Sequence, residues 1–101
     1  MKVPKATSIV NARILYDQNN FSDLVIWRLP NPARASHHPF KYRLAYVVQN
    51  RCVVRYDNEV GKGDHRHYES AETPYHFHTL SQLLMDFQND IARWNRENSY
   101  P

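Results

Sequence analysis

The chain has 101 residues, of which 42% are hydrophobic and 13% aromatic. This length provides one modest core and excludes two domains, so we predict a single domain over residues 1–101. The composition is typical of a folded chain and excludes a disordered one. A lone cysteine, Cys52, excludes an internal disulfide, and no segment has the length and apolarity of a membrane span or a secretion signal. We therefore expect a protein of the reducing cytoplasm.

The net charge of +3 is distributed unevenly along the chain. Residues 1–55 carry nine Lys or Arg residues and two acidic residues, whereas residues 56–101 carry four and eight respectively. This asymmetry favours one basic face that meets phosphate groups and one acidic face that does not. The alternative is that both faces are simply solvated.

The first part of the chain predicts two strands and a long loop. Residues 8–16 alternate apolar and polar side chains, which is the period of a half-buried strand, and residues 24–29 form a mostly apolar run. The short DQNN turn between them indicates that the two strands pair antiparallel. Residues 31–39, NPARASHHP, contain two prolines and cannot lie inside a sheet. We interpret them as a loop whose histidines indicate little about function.

A second hairpin is predicted at Gln49 and Asn50. The flanking segments KYRLAYVV and RCVVRYD have the composition of strands, and asparagine tolerates the left-handed conformation of a tight turn. With those two residues at the centre of the turn, side-chain alternation divides the hairpin into two faces. One face has Leu44, Tyr46, Val53 and Arg55, and the other has Arg43, Val47, Val54 and Tyr56.

An amphipathic helix is predicted from about Leu80 to Arg96. Thr79 and Gln82 have the spacing of a capping box, which satisfies free backbone groups at a helix start. Apolar residues then recur at helical spacing, namely Leu80, Leu83, Leu84, Phe87, Ile91 and Trp94. Because an amphipathic element needs a partner layer, we predict an α+β fold in which this helix packs on one face of an antiparallel sheet of about four strands.

The stretch RYDNEVGKGDHRHY, residues 55–68, contains both glycines of the chain and is the predicted functional site. Its glycines lack the spacing of a nucleotide-binding loop. We predict that the fourth strand brings its last residues to an edge of the sheet and that the glycines fold the following loop back beside them. The predicted catalytic residues are Arg55, Tyr56, Lys62, His65 and His67.

Two imidazoles on one side of an extended segment suit the cleavage of a phosphodiester. His65 and His67 are two residues apart and share a side if the segment is extended. Imidazole titrates near neutrality, so such a pair serves as proton donor and acceptor, while Lys62, Arg55 or Arg66 stabilises the extra negative charge of the transition state. This chemistry needs no metal ion or other cofactor. The alternative is that these residues only hydrogen-bond to their surroundings in the loop.

Metal binding is the competing hypothesis for the same stretch. Imidazole and carboxylate groups are suitable ligands for zinc or another transition metal ion. The candidate ligands are His65, His67, His76, His78, Asp57 and Asp64. The signal is weak, because HxH pairs are common and no cysteine stands at ligand spacing.

Aromatic and cationic residues alternate along the predicted third and fourth strands and into the glycine stretch. Bases of single-stranded RNA stack on such rings, and arginine binds phosphates. The predicted nucleic-acid-binding residues are Arg43, Tyr46, Arg51, Arg66 and Tyr68. The alternative is that the tyrosine rings are buried and only their hydroxyl groups reach the surface.

The glycine stretch, with VIWRLP before it and PYHFHTLSQLLMDF after it, resembles the TumE family of toxin–antitoxin toxins. The matching positions are Arg55, Tyr56, Asp57, Asn58, Gly61, Lys62, Gly63, Asp64, His65 and His67. The resemblance implies a prokaryotic toxin encoded beside an antitoxin that has a helix-turn-helix DNA-binding domain. It implies no catalytic residue. A toxin of this kind can bind its antitoxin, or a second copy of itself as a homodimer, through exposed apolar surface.

From the residues, and by analogy with other small basic toxins that cut mRNA, we expect a metal-independent endoribonuclease acting on single-stranded RNA. Two alternatives stay open. One is a non-catalytic basic module that binds and occludes nucleic acid or a protein target. The other is a metal-dependent nuclease or transferase.

Overall fold

A computed structural model describes residues 5–32 and 37–100. They form one six-stranded antiparallel sheet and one helix, and each strand pairs with its neighbours in sequence. The elements are β1 (Thr7–Leu15), β2 (Asn20–Arg28), β3 (Phe40–Val48), β4 (Arg51–Glu59), β5 (Gly63–Tyr68), β6 (Ala71–Pro74) and α1 (Leu80–Glu97). The predicted α+β fold with a C-terminal helix on the sheet is confirmed, although the sheet has six strands rather than about four.

The two additional strands arise from the glycine stretch and the residues after it. β5 pairs with β4, and β6 pairs with β5. As a result, β4 lies inside the sheet between β3 and β5. The prediction that the fourth strand brings its last residues to an edge of the sheet is therefore wrong. Gly61 and Gly63 have φ angles of 85° and 79°, which glycine adopts without steric cost, and they turn the chain from β4 into β5.

The β3–β4 hairpin turns at the predicted residues, but its faces differ from the prediction. Gln49 and Asn50 have φ angles of 49° and 65°, as a two-residue hairpin turn requires. The register then shifts between Tyr46 and Val47, with Tyr46 opposite Val54. Such a bulge adds one residue to a strand and reverses the alternation beyond it. Arg55 therefore shares a face with Arg43, and Tyr56 lies on the opposite face, against the predicted arrangement.

The helix begins at the predicted cap and covers one face of the sheet. The Thr79 hydroxyl accepts a hydrogen bond from the Gln82 backbone N–H at 3.0 Å. The apolar stripe of the helix packs on the sheet, and its most buried members are Leu83, Phe87, Ile91 and Trp94. Burial of such a side chain contributes about 1.5–3 kcal/mol, so this interface is a main source of stability. The described ranges contain no helix that is both long enough and apolar enough to cross a membrane.

Carboxylates of the helix bind polar groups of the sheet. Asp90 accepts hydrogen bonds from the Tyr56 hydroxyl and the Arg66 guanidinium, the latter at 2.6 and 2.9 Å. Asp86 accepts one from the Tyr75 hydroxyl. The acidic residues of the second half of the chain thus join helix to sheet rather than forming only a solvated face.

The opposite face of the sheet is covered by no element of the described chain, and we call it the open face. The pairing registers place its side chains in cross-strand rows. Its polar and aromatic members include Arg13, Asp23, Trp27, Lys41, Arg43, Arg55, Asp57, His65, His67 and Glu72.

Candidate functional site

A cluster of ionisable side chains lies on the open face at β4, β5 and β6, toward one edge of the sheet. Arg55 is opposite His67, and His67 is in turn opposite Glu72. One row away, Asp57 is opposite His65. Directly paired residues on one sheet face have Cβ atoms about 4.5–5.5 Å apart, so these five side chains form one group. We call it the Arg55 cluster.

Arg55 and His67 share a hydrogen bond that fixes the state of the imidazole. Arg55 Nη2 lies 3.0 Å from His67 Nε2. Because a guanidinium has donors and no acceptor, Nε2 must accept, and the ring is neutral with its hydrogen on Nδ1. The lone pair of His67 Nε2 is thus directed at Arg55, and it becomes available to a substrate only when the guanidinium moves away.

Two carboxylates lie close to the same imidazole nitrogen. Asp57 Oδ1 is 3.7 Å and Glu72 Oε1 is 3.8 Å from His67 Nε2. Asp57 Oδ2 also lies 3.2 Å from Arg55 Nε, although the alignment does not make a hydrogen bond. A positive charge formed on His67 by proton uptake would face two negative groups. This arrangement supports a ring that takes up a proton during a reaction.

A cavity of about 450 Å³ opens beside the Arg55 cluster on the side of β2 and β3. Its walls include the Trp27 ring, which is 37% exposed, and the cationic side chains of Lys41 and Arg43. Neither cation forms an ion pair with any described residue. Lys41 Nζ donates to the Asn58 backbone carbonyl oxygen. The cavity therefore combines an aromatic surface with the cationic side chains of Lys41, Arg43 and Arg55, and its walls also include the Asp57 and Glu59 carboxylates.

A buried trio of side chains lies on the helix side of the sheet, at the start of β5. Asp64 Oδ2 is 2.7 Å from His38 Nε2 and accepts a hydrogen bond from the Tyr42 hydroxyl at 2.6 Å. His38 Nδ1 accepts from the Phe40 backbone N–H at 3.2 Å, so the hydrogen on His38 Nε2 is donated to Asp64. Burial, followed by the Asp64 hydrogen bond, raises the pKa of Tyr42, which keeps its hydroxyl a donor. The Asp64 carboxylate thus joins His38 and Tyr42 through two hydrogen bonds.

A comparison with protein-family models matched residues 2–95 to a family described as Toxin TumE. The chain belongs to the TumE toxin family. The predicted resemblance is confirmed, and membership of a toxin family implies an antitoxin partner in general. Searches of curated proteins and of solved structures found no match.

The positions that resemble TumE lie within residues 55–67, which we call the TumE-like string. One of them, Asn58, has a structural role that was not predicted from the sequence. Asn58 is 1% exposed on β4. Its Oδ1 accepts from the Tyr42 backbone N–H at 2.9 Å, and its Nδ2 donates to the Phe40 carbonyl oxygen at 2.7 Å. The side chain thus replaces backbone pairing where β3 and β4 begin to separate. No periodicity in the sequence marks this role, because the partners are 16 and 18 residues away.

Within the TumE-like string, the predicted site residues do not all come together. Tyr56 is buried on the helix side, away from Arg55, and burial followed by its hydrogen bond to Asp90 raises its pKa. Arg66 is on the same side, where its hydrogen bond to Asp90 raises the guanidinium pKa and keeps the charge. Lys62 lies in the β4–β5 turn, 3.5 Å from Glu59. Only Arg55, His65 and His67 of the predicted catalytic set meet on the open face.

The predicted nucleic-acid-binding residues are divided in the same way. Arg43 lies on the open face beside the cavity. Tyr46 is fully buried against the helix, and Arg51 pairs with Glu69 at the far end of the hairpin. The Tyr68 hydroxyl donates to Glu97, and burial followed by this bond raises its pKa to about 12. Among the five predicted nucleic-acid-binding residues, only Arg43 is therefore placed to bind a ligand on the open face.

The candidate metal ligands also lie on different sides of the sheet. Asp57, His65 and His67 belong to the open face, whereas the Asp64 carboxylate points to the helix side and binds His38 and Tyr42. Among residues 5–32 and 37–100, no group of three or more His, Cys, Asp or Glu side chains has the arrangement of a metal site. His38, interpreted from the sequence as uninformative, is instead 8% exposed and stacked on Phe77 at 3.8 Å between ring centroids.

Proposed function

We propose that this TumE-family toxin is an endoribonuclease that cleaves single-stranded RNA without a metal ion, and that it acts through the Arg55 cluster on the open face. The observation that supports this most directly is the Arg55–His67 hydrogen bond, which holds a neutral imidazole beside a guanidinium. A base and a cation at this distance are what cleavage of a phosphodiester by its own 2′-hydroxyl needs.

In the proposed first step, His67 Nε2 takes the proton of the 2′-hydroxyl. The 2′-oxygen then forms a bond to the adjacent phosphorus. Arg55 turns from the imidazole to the phosphate oxygens and stabilises the extra negative charge of the transition state. The imidazolium that forms on His67 is balanced by Asp57 and Glu72. The carboxylates serve to stabilise the protonated ring, as the aspartate does in a serine protease triad.

His65 supplies the proton for the leaving group. The bond from phosphorus to the 5′-oxygen breaks, and His65 in its protonated form gives that oxygen a proton, which leaves a 2′,3′-cyclic phosphate and a 5′-hydroxyl. Residues two apart on one strand face are separated by about 6.6 Å, which leaves room for a phosphate between His65 and His67. The His65 ring makes no hydrogen bond or ion pair within the described chain, so its nitrogens are available.

The cavity beside the cluster suits an unpaired nucleotide. A base stacks on Trp27, and Arg43 and Lys41 bind phosphate oxygens. Stacking on an exposed ring requires a base that is not already in a duplex, so single-stranded RNA is the favoured substrate. Base–aromatic stacking is worth about 1–3 kcal/mol per base, enough to position the backbone over the cluster.

The antitoxin is proposed to inhibit by covering the open face. It would be the helix-turn-helix protein that the sequence resemblance implies, with acidic groups placed against Arg43 and Lys41. Complementary charge speeds association and rejects wrong partners. Co-expression should then relieve growth arrest, and a substitution of Arg43 by Glu should weaken the complex.

The experiment that tests the proposed function uses purified protein and an end-labelled single-stranded RNA, with and without EDTA. Cleavage that persists in EDTA and is lost by about 10²–10⁴-fold in His67→Ala supports the proposal. Arg96→Ala is the control, because Arg96 is exposed in the last turn of the helix, away from the open face. Cleavage that EDTA abolishes would support a metal-dependent enzyme instead, and binding without cleavage would support an occluding protein.

A further inference from the structure

A second cavity, of about 370 Å³, lies on the other side of the Arg55 cluster. It is formed where β5 begins and β6 ends, together with the segment that leads into the helix. His65 lines this cavity, and its register partner Asp57 lines the first one. The two cavities therefore adjoin the cluster from different strands, the first along β2 to β4 and the second at the start of β5, where its wall also reaches His38 and Asp64 of the buried trio.

The walls of the second cavity are rich in groups that bind anions. Lys62, His65, His76 and His78 line it, and none of these three imidazoles has a hydrogen bond within residues 5–32 and 37–100. Within the described residues, the Lys62 ammonium forms an ion pair only with the exposed Glu59 carboxylate, at 3.5 Å, and such a surface pair is worth at most about 1 kcal/mol. These side chains can turn toward a bound ligand.

The Asp64 carboxylate in the same wall repels a bound anion only weakly. Asp64 already accepts hydrogen bonds from His38 and Tyr42, and its side chain is only 7% exposed. Beside it, the Phe77 ring is stacked on His38 and forms an apolar wall. The cavity thus offers several nitrogen donors and one aromatic wall, which suits a phosphate joined to a base.

We propose that this cavity is a second nucleotide subsite, which binds a nucleotide beyond the pair joined by the scissile phosphate, on the opposite side from the nucleotide stacked on Trp27. This inference rests on the proposed ribonuclease function. The RNA would cross the open face from β2 to β6, which is about 19 Å at four strand spacings. A substrate must then be longer than a dinucleotide to engage both cavities, and the enzyme should prefer longer RNA.

The test compares a hexanucleotide centred on a bond that the wild-type protein cuts with the dinucleotide at its centre. The double variant His76→Ala/His78→Ala removes two exposed side chains of the second cavity and none of the Arg55 cluster. We expect the KM of the hexanucleotide to rise about tenfold, because two net hydrogen bonds are lost, with a much smaller change for the dinucleotide. Arg96→Ala should leave the ratio of the kcat/KM values for the two substrates at its wild-type value.

The outcomes separate this inference from the proposed function. The first outcome is that the wild-type protein cleaves both substrates and the double variant has the same ratio of kcat/KM for the hexanucleotide to kcat/KM for the dinucleotide as the wild type. The second subsite is then overturned and the ribonuclease stands. If the wild-type protein cleaves neither, the ribonuclease falls, and the subsite is tested by binding alone. A fluorescent DNA hexamer of the same sequence, which lacks the 2′-hydroxyl, should then bind the double variant about tenfold more weakly. Equal affinity would overturn the subsite.

Discussion

Arg55 and His67 face each other across β4 and β5, and their side chains are joined by a hydrogen bond of 3.0 Å between Nη2 and Nε2. The pair brings a cation and a neutral imidazole together on the open face of the sheet. Neither β4 nor β5 can move independently of the other, because both are paired on each side within the sheet. The geometry is therefore held by backbone pairing rather than by a flexible loop.

The first prediction concerns Arg55. In Arg55→Ala, kcat for RNA cleavage should fall by about 10²–10³ and KM should rise, because the guanidinium serves both phosphate binding and transition-state charge. Initial rates over a range of RNA concentrations measure both constants. Arg96→Ala serves as a charge-matched control. A change in KM alone would show that Arg55 only binds the substrate.

The second prediction concerns the buried trio. Asp64→Ala leaves the His38 and Tyr42 donors without their acceptor, and an unsatisfied buried donor costs about 1–3 kcal/mol. We expect the free energy of unfolding in urea to fall by about 2–4 kcal/mol. Glu59→Ala, which removes an exposed carboxylate from the nearby turn, should change it by less than about 0.5 kcal/mol. Equal stabilities of the two variants would contradict a structural role for the trio.

The third prediction concerns the helix–sheet interface. Arg66 and Asp90 are mostly buried and share two hydrogen bonds. A double-mutant cycle with alanine at both positions should give a coupling energy of about 1–3 kcal/mol. The exposed helical pair Arg93 and Glu97 provides the comparison and should give about 0.5 kcal/mol or less. Similar couplings for the two pairs would mean that burial adds nothing to the interaction.

The fourth prediction concerns stability in acid. The hydrogen bond from Arg51, followed by one from the Trp94 indole, lowers the pKa of Glu69 below 4.5. Because the unfolded chain then binds the proton more tightly, this contribution is present above about pH 4.5 and is lost as the pH falls through the folded pKa. Melting temperatures between pH 3 and 6, a range of about three units around this value, should fall less steeply with acid in Glu69→Gln than in the wild type.

Arg51→Ala tests the cause of that pH dependence. Removal of Arg51, the main hydrogen-bond partner of Glu69, should reduce the acid sensitivity in the same direction as Glu69→Gln. The double variant should add little to either single change, since both remove the same interaction. Additive effects would place the pH dependence in other carboxylates, among them Asp23, whose pKa is lowered by its hydrogen bond with Arg13.

Local patterns in the sequence determined the elements that depend on neighbours along the chain. Alternation predicted the first strand, although its side chains are almost all exposed rather than half-buried, and an apolar run and strand-like composition predicted the next three. Gln49 and Asn50 supplied the left-handed turn of the hairpin. The Thr79 cap and the apolar stripe defined the helix almost to its last residue. These features are set by side-chain periodicity and backbone conformational preference, which act over a few residues. The TumE-like string likewise identified the family without any structure.

Tertiary structure alone decided which side chains meet. The bulge near Val53 reverses the alternation of β4, so it turns Arg55 to the open face and Tyr56 to the core, and the β4–β5 register then places Arg55 beside His67. β5 has polar side chains on both faces and is a strand only because β4 and β6 satisfy its backbone groups. His38 and Asp64 are 26 residues apart in sequence, and packing against Phe77 brings them together. Such contacts depend on the register and burial of distant segments, which a one-dimensional pattern does not contain.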